Sequence, residues 1–125
     1  MIWTVLQVAT GGALGAVARY LTGVATLRLA GPGFPWGTLA VNIAGSFLMG
    51  VLVVWLAAKG GNRFSPLLMT GLLGGFTTFS AFSLDALTLW ERGNAQMALI
   101  YVTASVILSL MAIAGGLAAA RGVFL

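Results

Sequence analysis

The stretch GGFTTFSAFSLD, Gly74 to Asp85, packs two glycines, four hydroxyl side chains and three phenylalanines into an otherwise apolar run. Gly74 and Gly75 weaken a helix, and Thr77, Thr78 and Ser80 offer the backbone competing hydrogen bonds. The stretch therefore predicts a membrane-crossing helix that breaks part-way through the bilayer. A break at that depth is tolerated only where protein or water covers it. It exposes carbonyls and half-helix ends, which bind ions, and a cation can sit on such carbonyls without a carboxylate. Phe79 and Phe82, three residues apart, share a face beyond the break. Their ring edges suit an anion and their faces a cation; ordinary aromatic packing is the plain alternative.

The whole chain supports the membrane reading. Of its 125 residues 60% are apolar and 6% charged, with a mean hydropathy of +1.06. Soluble domains carry about a quarter charged residues. Outward from the opening stretch lie four apolar segments, near residues 2–30, 36–58, 64–90 and 95–120. Each exceeds the roughly 20 residues a helix needs to cross hydrocarbon. The turns GPGFPWG, KGGNRFSP and ERGN separate them. Short turns make sequence neighbours antiparallel neighbours. The expected architecture is an all-α integral membrane protein: one domain over residues 1–125, four transmembrane helices, the third broken mid-membrane. MIWTVLQVAT lacks a basic leader and reads as the first span.

Charge and composition narrow the function. The net charge is +4, but Arg19, Arg28, Lys59, Arg63, Arg92 and Arg121 are scattered, unlike the clustered footprint of a nucleic-acid binder. Arg19, Arg28 and Arg92 fall toward one side of the bilayer and Lys59, Arg63 and Arg121 toward the other. This balance lacks the one-sided excess that orients a membrane protein. Insertion both ways, and an antiparallel dimer, become plausible beside a monomer or parallel oligomer. There is no histidine and no cysteine, and the only acids are Asp85 and Glu91. Little acid–base machinery remains for an enzyme, and the phosphate-binding glycine motif with its lysine is missing.

Small residues at helical spacing, Gly11 and Gly15, Ala40 and Ala44, Gly71 and Gly75, predict close helix contacts within or between subunits. Polar residues also recur at intervals of four. Thr38, Asn42, Ser46 and Gly50 lie on one face of the second segment. Tyr101, Ser105 and Ser109 climb the fourth over roughly 12 Å. Asn42 must find hydrogen-bond partners in lipid, as glue between helices or as a donor to a passing ion. The serines either bond back to a carbonyl one turn earlier or face a path. Arg19, deep in the first segment, either lines a water-filled space or extends to a headgroup. Together these residues predict a path for an anion lined by neutral donors near one arginine. They do not name the ion.

Three motifs carry a resemblance. GGALGAVARY (Gly11–Tyr20), WGTLAVNIAGSFLMG (Trp36–Gly50) and GGFTTFSAFS (Gly74–Ser83) resemble, in the same order, the span motifs of the Fluc (CrcB-type) fluoride channel family. The likeness covers nearly the whole chain. It implies antiparallel, dual-topology homodimers in a bacterial plasma or inner membrane. Each dimer would hold two pathways through which fluoride leaves the cytoplasm passively. It implies pathway roles for Asn42, Phe79, Phe82, Tyr101, Ser105, Ser109, Arg19 and Ser80. It also implies a structural sodium ion at the dimer centre, on main-chain carbonyls of Gly74 and Thr77. One departure stands out: the family commonly reads TTFSTFS where this chain has Ala81, so Ser80 or Ser83 would have to replace the missing hydroxyl. Two rival readings are a small multidrug-type cation transporter and a non-transporting membrane assembly protein. The first needs an embedded glutamate in its first span, and that segment has no acid.

Overall fold

A computed structural model describes all 125 residues and is helical throughout. Helix α1 spans Ile2–Ala30 and α2 spans Trp36–Lys59. A short 3₁₀ turn, Asn62–Phe64, leads into a π-helix over Pro66–Leu73 and then one α turn, α3, Gly74–Phe76. Helix α4 runs Phe79–Glu91 and α5 runs Ala95–Phe124. Three stretches are long and apolar enough to cross a membrane: Trp36–Lys59, Asn62–Glu91 and Ala95–Phe124. Helix α1 has the length, 29 residues, but is not among them. Gln7, Arg19 and Arg28, with several glycines and threonines, dilute its hydropathy.

The ends of the helices follow local chemistry. Pro35 immediately precedes α2, where its missing N–H costs nothing. Gly60 ends α2 in the left-handed region at φ 65°, and its amide returns to the Ala57 carbonyl. Helix α5 extends beyond the predicted residue 120 to Phe124 because AAARG contains no breaker strong enough to stop it.

Two glycine seams bring the helices together. Gly11 and Gly15 of α1 lie against the backbone of the π-helix and α3; a Cβ on Gly15 would meet the Phe76 amide nitrogen at 2.8 Å and run into the Leu72 carbonyl. Gly75 faces Gly12 the same way, with 2.7 Å to its carbonyl oxygen. On the other side α2 crosses α5 at Gly50 and Gly116, where a Cβ on Gly50 would sit 2.5 Å from the Ile113 carbonyl oxygen. Gly11, Gly15, Gly71 and Gly75 therefore serve contacts within the chain, as small residues do in lipid. Ala44 is exposed and takes no part.

The compact apolar core is small. Leu39, Leu89, Ala98 and Tyr101 are buried where the start of α2, the end of α4 and the start of α5 meet, with Phe34, Ile43, Phe82 and Ala86 packed around them. Elsewhere large apolar side chains point outward, among them Leu14, Tyr20, Phe79, Trp90, Leu99, Leu110 and Met111. That outward apolar surface is what a bilayer solvates.

Candidate functional site

The third long helix opens where the sequence places the break. Thr77 is extended at φ −86°, ψ 157°, and Thr78 likewise at φ −153°, ψ 124°. The backbone groups released there find specific partners. The Thr78 amide donates to Asn42 Oδ1 at 2.8 Å, and Asn42 Nδ2 donates to the Thr78 carbonyl at 3.0 Å. In an unbroken helix that amide would serve the Gly74 carbonyl one turn back. Arg19 Nε donates to the Gly75 carbonyl at 3.0 Å. Thr77 Oγ1 donates to the Leu73 carbonyl at 2.9 Å. Beyond the break Thr78 caps α4, its hydroxyl accepting from the Ala81 amide at 3.1 Å. Gly45 admits α2 to this point, since a Cβ there would collide with the Thr77 methyl.

Beside the break lies an open cavity of about 390 Å³. Asn42 and Ser46 of α2, Thr77 and Thr78 of the break, Phe79 and Phe82 of α4, and Ser105 and Ser109 of α5 line it. Apolar side chains, including Met49, Val106, Leu110 and Ile113, complete the wall. The two phenylalanine rings stand 5.5 Å apart, tilted by 49°. Phe82 is half-buried, whereas Phe79 is 77% exposed. Ser105 is buried, and its Oγ has no hydrogen-bond partner. The alternative of bonding back along its own helix is thus not taken. Asn42 spends one amide hydrogen on Thr78, and the other has no partner within the chain. Neutral donors beside an aromatic wall can replace part of the water around a small anion.

Other residues singled out in the sequence lie elsewhere. Tyr101 is fully buried behind Phe82, its ring 5.3 Å from that of Phe82. Its hydroxyl donates to Asp85 Oδ2 at 3.1 Å, away from Ser105 and Ser109. Arg19 sits behind the break on the α1 side, half-buried on the Gly75 carbonyl. Ser80 is exposed, 3.3 Å from the Thr78 hydroxyl. Ser83 bonds back to the Phe79 carbonyl at 2.9 Å, so Ser80 is the hydroxyl near Ala81 without a backbone bond. Gly74 is exposed on the outer side of the break. No group of three or more His, Cys, Asp or Glu gathers anywhere to hold a metal ion.

Asp85 has no site role in the sequence reading, and the structure gives it one. Its Oδ2 accepts from both Thr38 Oγ1, at 2.7 Å, and Tyr101, so one carboxylate ties α2, α4 and α5 together. A second cavity, of about 340 Å³, opens at this end between the turn after α1, the start of α2 and the end of α4; Asp85, Thr88 and Arg92 line it. The signal was available: Thr38 heads one polar stripe, Tyr101 heads the other, and Asp85 follows Phe82 by one helical turn.

An interrupted helix clamped by a side-chain amide, among long apolar helices, defines a multi-pass helical membrane protein. Comparison with known proteins gives the family. The family model described as CrcB-like protein, Camphor Resistance (CrcB), matches residues 6–117. A protein of Cereibacter sphaeroides named fluoride-specific ion channel FluC is 67% identical over 122 residues, covering 98% of each chain. Proteins of that name from Paracoccus denitrificans and Agrobacterium fabrum are 59% and 56% identical, covering 97% and 94% of this chain and 97% and 95% of their own. The chain belongs to the CrcB family.

Proposed function

We propose that this protein is a fluoride-selective ion channel that lets fluoride leave the cytoplasm passively. The observation that carries the reading is the cavity in which Asn42, Ser105 and Ser109 face Phe79 and Phe82, with the Ser105 hydroxyl buried and unpartnered. The relatives' name supplies the ion. Fluoride is small and holds its water strongly, so dehydration is costly unless short, charge-assisted hydrogen bonds replace that water. The free amide hydrogen of Asn42 and the serine hydroxyls meet that need. The phenylalanine edges narrow the path, size excludes chloride, and weak binding at several points permits exit. Ser80 and Tyr101 lie outside the cavity lining and would meet the ion only beyond it, and Arg19, on the Gly75 carbonyl, would add positive charge from behind the break.

The assembly belongs to the same proposal. Residues 1–125 form one membrane domain in which α1 joins the other three long stretches as the fourth crossing. Two copies pair antiparallel, and each of the two pathways draws on both. The even division of basic residues between the two ends supports insertion in both orientations. The 77% exposure of Phe79 leaves a face of the cavity for a second copy to close. A structural sodium ion suits the break: the Gly74 carbonyl has lost the Thr78 amide, Gly74 is exposed, and Thr77 has left helical geometry. The carbonyls of Gly74 and Thr77, doubled by symmetry, would hold it, and the ion would supply a fixed positive charge between the copies. Its ligands are neutral oxygens, which suit a hard cation.

Purified protein in liposomes tests the reading, with electrodes following fluoride in one set and chloride in another. Fast fluoride loss with negligible chloride loss is expected. No fluoride loss from a folded, reconstituted protein would overturn the proposal. A single cysteine placed at the amino terminus and labelled by an impermeant reagent tests orientation: dual insertion gives partial labelling from each side.

A further inference from the structure

We propose that Asp85 is a positioning residue: its carboxylate, held by the hydroxyls of Thr38 and Tyr101, fixes the rotation of α4 about its own axis and so fixes where the Phe82 ring stands at the cavity wall. The inference deepens the proposed conduction, on which its flux readout rests; its spectroscopic readout stands alone.

The need for such a device follows from the break. Helix α4 is not a rigid continuation of α3, because Thr77 and Thr78 between them are extended. Its rotation must be set by contacts of its own. Those are few: Leu89 is its only buried residue, while Phe79, Leu84, Leu87 and Trp90 are 55–77% exposed. Apolar packing holds α4 against α5 and the start of α2, where Leu89, Phe82 and Ala86 meet Leu39, Ala98 and Tyr101, and two polar contacts tie it to α2 at defined points. Asn42 holds Thr78 just before the helix starts, and Thr38, one turn earlier on the same face of α2, holds Asp85. Phe79 and Phe82 lie between these two holds.

The second hold reaches further than the first. Tyr101 comes from α5 to the same carboxylate oxygen. Its buried ring lies between Phe34, edge-on at 5.5 Å, and Phe82, at 5.3 Å. Asp85 and Phe82 are one turn apart on one face of α4. Rotating α4 would break the Thr38 and Tyr101 bonds to Asp85 and pull Phe82 off Tyr101 together. Hydrogen bonds are directional, which apolar packing on one face is not. The carboxylate thus acts through hydrogen bonding; on this account its charge does not act on the ion.

The test places 4-fluorophenylalanine at position 82 and follows its fluorine NMR resonance in the assembled protein in detergent, with the same label at Phe47 as a reference. Asp85→Ala is expected to shift or split the Phe82 resonance and leave the Phe47 resonance in place. Asp85→Asn keeps an oxygen able to accept both hydroxyls, and is expected to preserve the single resonance. Thr38→Val and Tyr101→Phe each remove one hydroxyl and are expected to move the resonance part-way; they carry the test if Asp85→Ala does not assemble. In liposomes, fluoride flux should fall about tenfold or more in Asp85→Ala and recover to within about threefold of the parent in Asp85→Asn. An unmoved Phe82 resonance in Asp85→Ala, or in both Thr38→Val and Tyr101→Phe, would overturn the proposal. Equal movement at Phe47 would reduce the clasp to general stability. If Asp85→Asn loses flux as fully as Asp85→Ala with its resonance in place, the charge acts on the ion and positioning is refuted. A parent protein without flux would fail the channel reading and leave the resonance test intact.

Discussion

The side chain of Asn42 and the peptide unit of Thr78 exchange two hydrogen bonds, of 3.0 and 2.8 Å, at the point where the third long helix loses its own. A side-chain amide presents one donor and one acceptor in the geometry of a backbone amide. It therefore replaces what the break removes. Asn42→Asp keeps the acceptor but turns the other bond into a contact between two oxygens. Asn42→Ala leaves both Thr78 groups unpaired, at about 1–3 kcal/mol for each buried group. Both variants are expected to melt at lower temperature in detergent and to lose fluoride flux. Melting curves and efflux on the same preparations check this; an unchanged melting temperature in Asn42→Ala would show that the clamp contributes nothing to the fold.

Ser105 should separate stability from transport. Its hydroxyl is buried without a partner in the single chain. Removing an unsatisfied polar group costs the fold nothing and can favour it by about 1 kcal/mol. Ser105→Ala is therefore expected to melt no lower than the parent. Its fluoride flux is expected to fall, because the cavity loses a donor. Loss of stability with flux intact would return the serine to helix packing.

The elements most legible in sequence were those with a strong local cause. Apolar length alone located α2 and α5, and Gly74, Gly75 and the hydroxyls after them located the break to within a residue or two. The spacing of four that grouped Asn42 with Ser46 and Ser105 with Ser109 reflects one cavity between two facing helices. Tyr101 shared the serines' spacing but not their surroundings, because a long side chain reaches sideways to Asp85 where a serine cannot. The π-helix over Pro66–Leu73 left no local signal. Its extra residue per turn lies where Gly11 and Gly15 bring α1 against its backbone, a tertiary fit that periodicity cannot report. Small residues announced close contacts but not their partners; Gly50 meeting Gly116 required the fold.

That crossing supplies a paired test. A Cβ on Gly50 would lie 2.5 Å from the Ile113 carbonyl oxygen and 2.8 Å from the Leu117 amide, and one on Gly116 would collide with the Phe47 carbonyl. These are backbone atoms, so the helices themselves must separate. Gly50→Ala and Gly116→Ala are each expected to cost about 1–3 kcal/mol or more. Gly115, one residue from Gly116, has nothing within 4 Å of its added Cβ. Gly115→Ala is expected to be neutral or to stabilise α5 by up to about 1 kcal/mol. Thermal melting of the three variants in detergent decides the matter; equal behaviour of Gly115→Ala and Gly116→Ala would mean that the crossing is not close.

Arg19 offers a choice between charge and shape. It is Nε, on the stem of the guanidinium, that donates to the Gly75 carbonyl at 3.0 Å, next to the break. A lysine restores the positive charge but has no donor at that place on the side chain. If the arginine matters as a brace on the break, Arg19→Lys should destabilise about as much as Arg19→Ala, by about 1.5–3 kcal/mol for a hydrogen bond from a charged donor. If it matters as a positive charge drawing anions inward, Arg19→Lys should retain flux while Arg19→Ala loses it. The geometry favours the brace, so both variants are expected to melt earlier than the parent by similar amounts. Flux normalised to folded protein then reads the charge alone: a remaining deficit in Arg19→Ala that Arg19→Lys repairs measures what the charge adds.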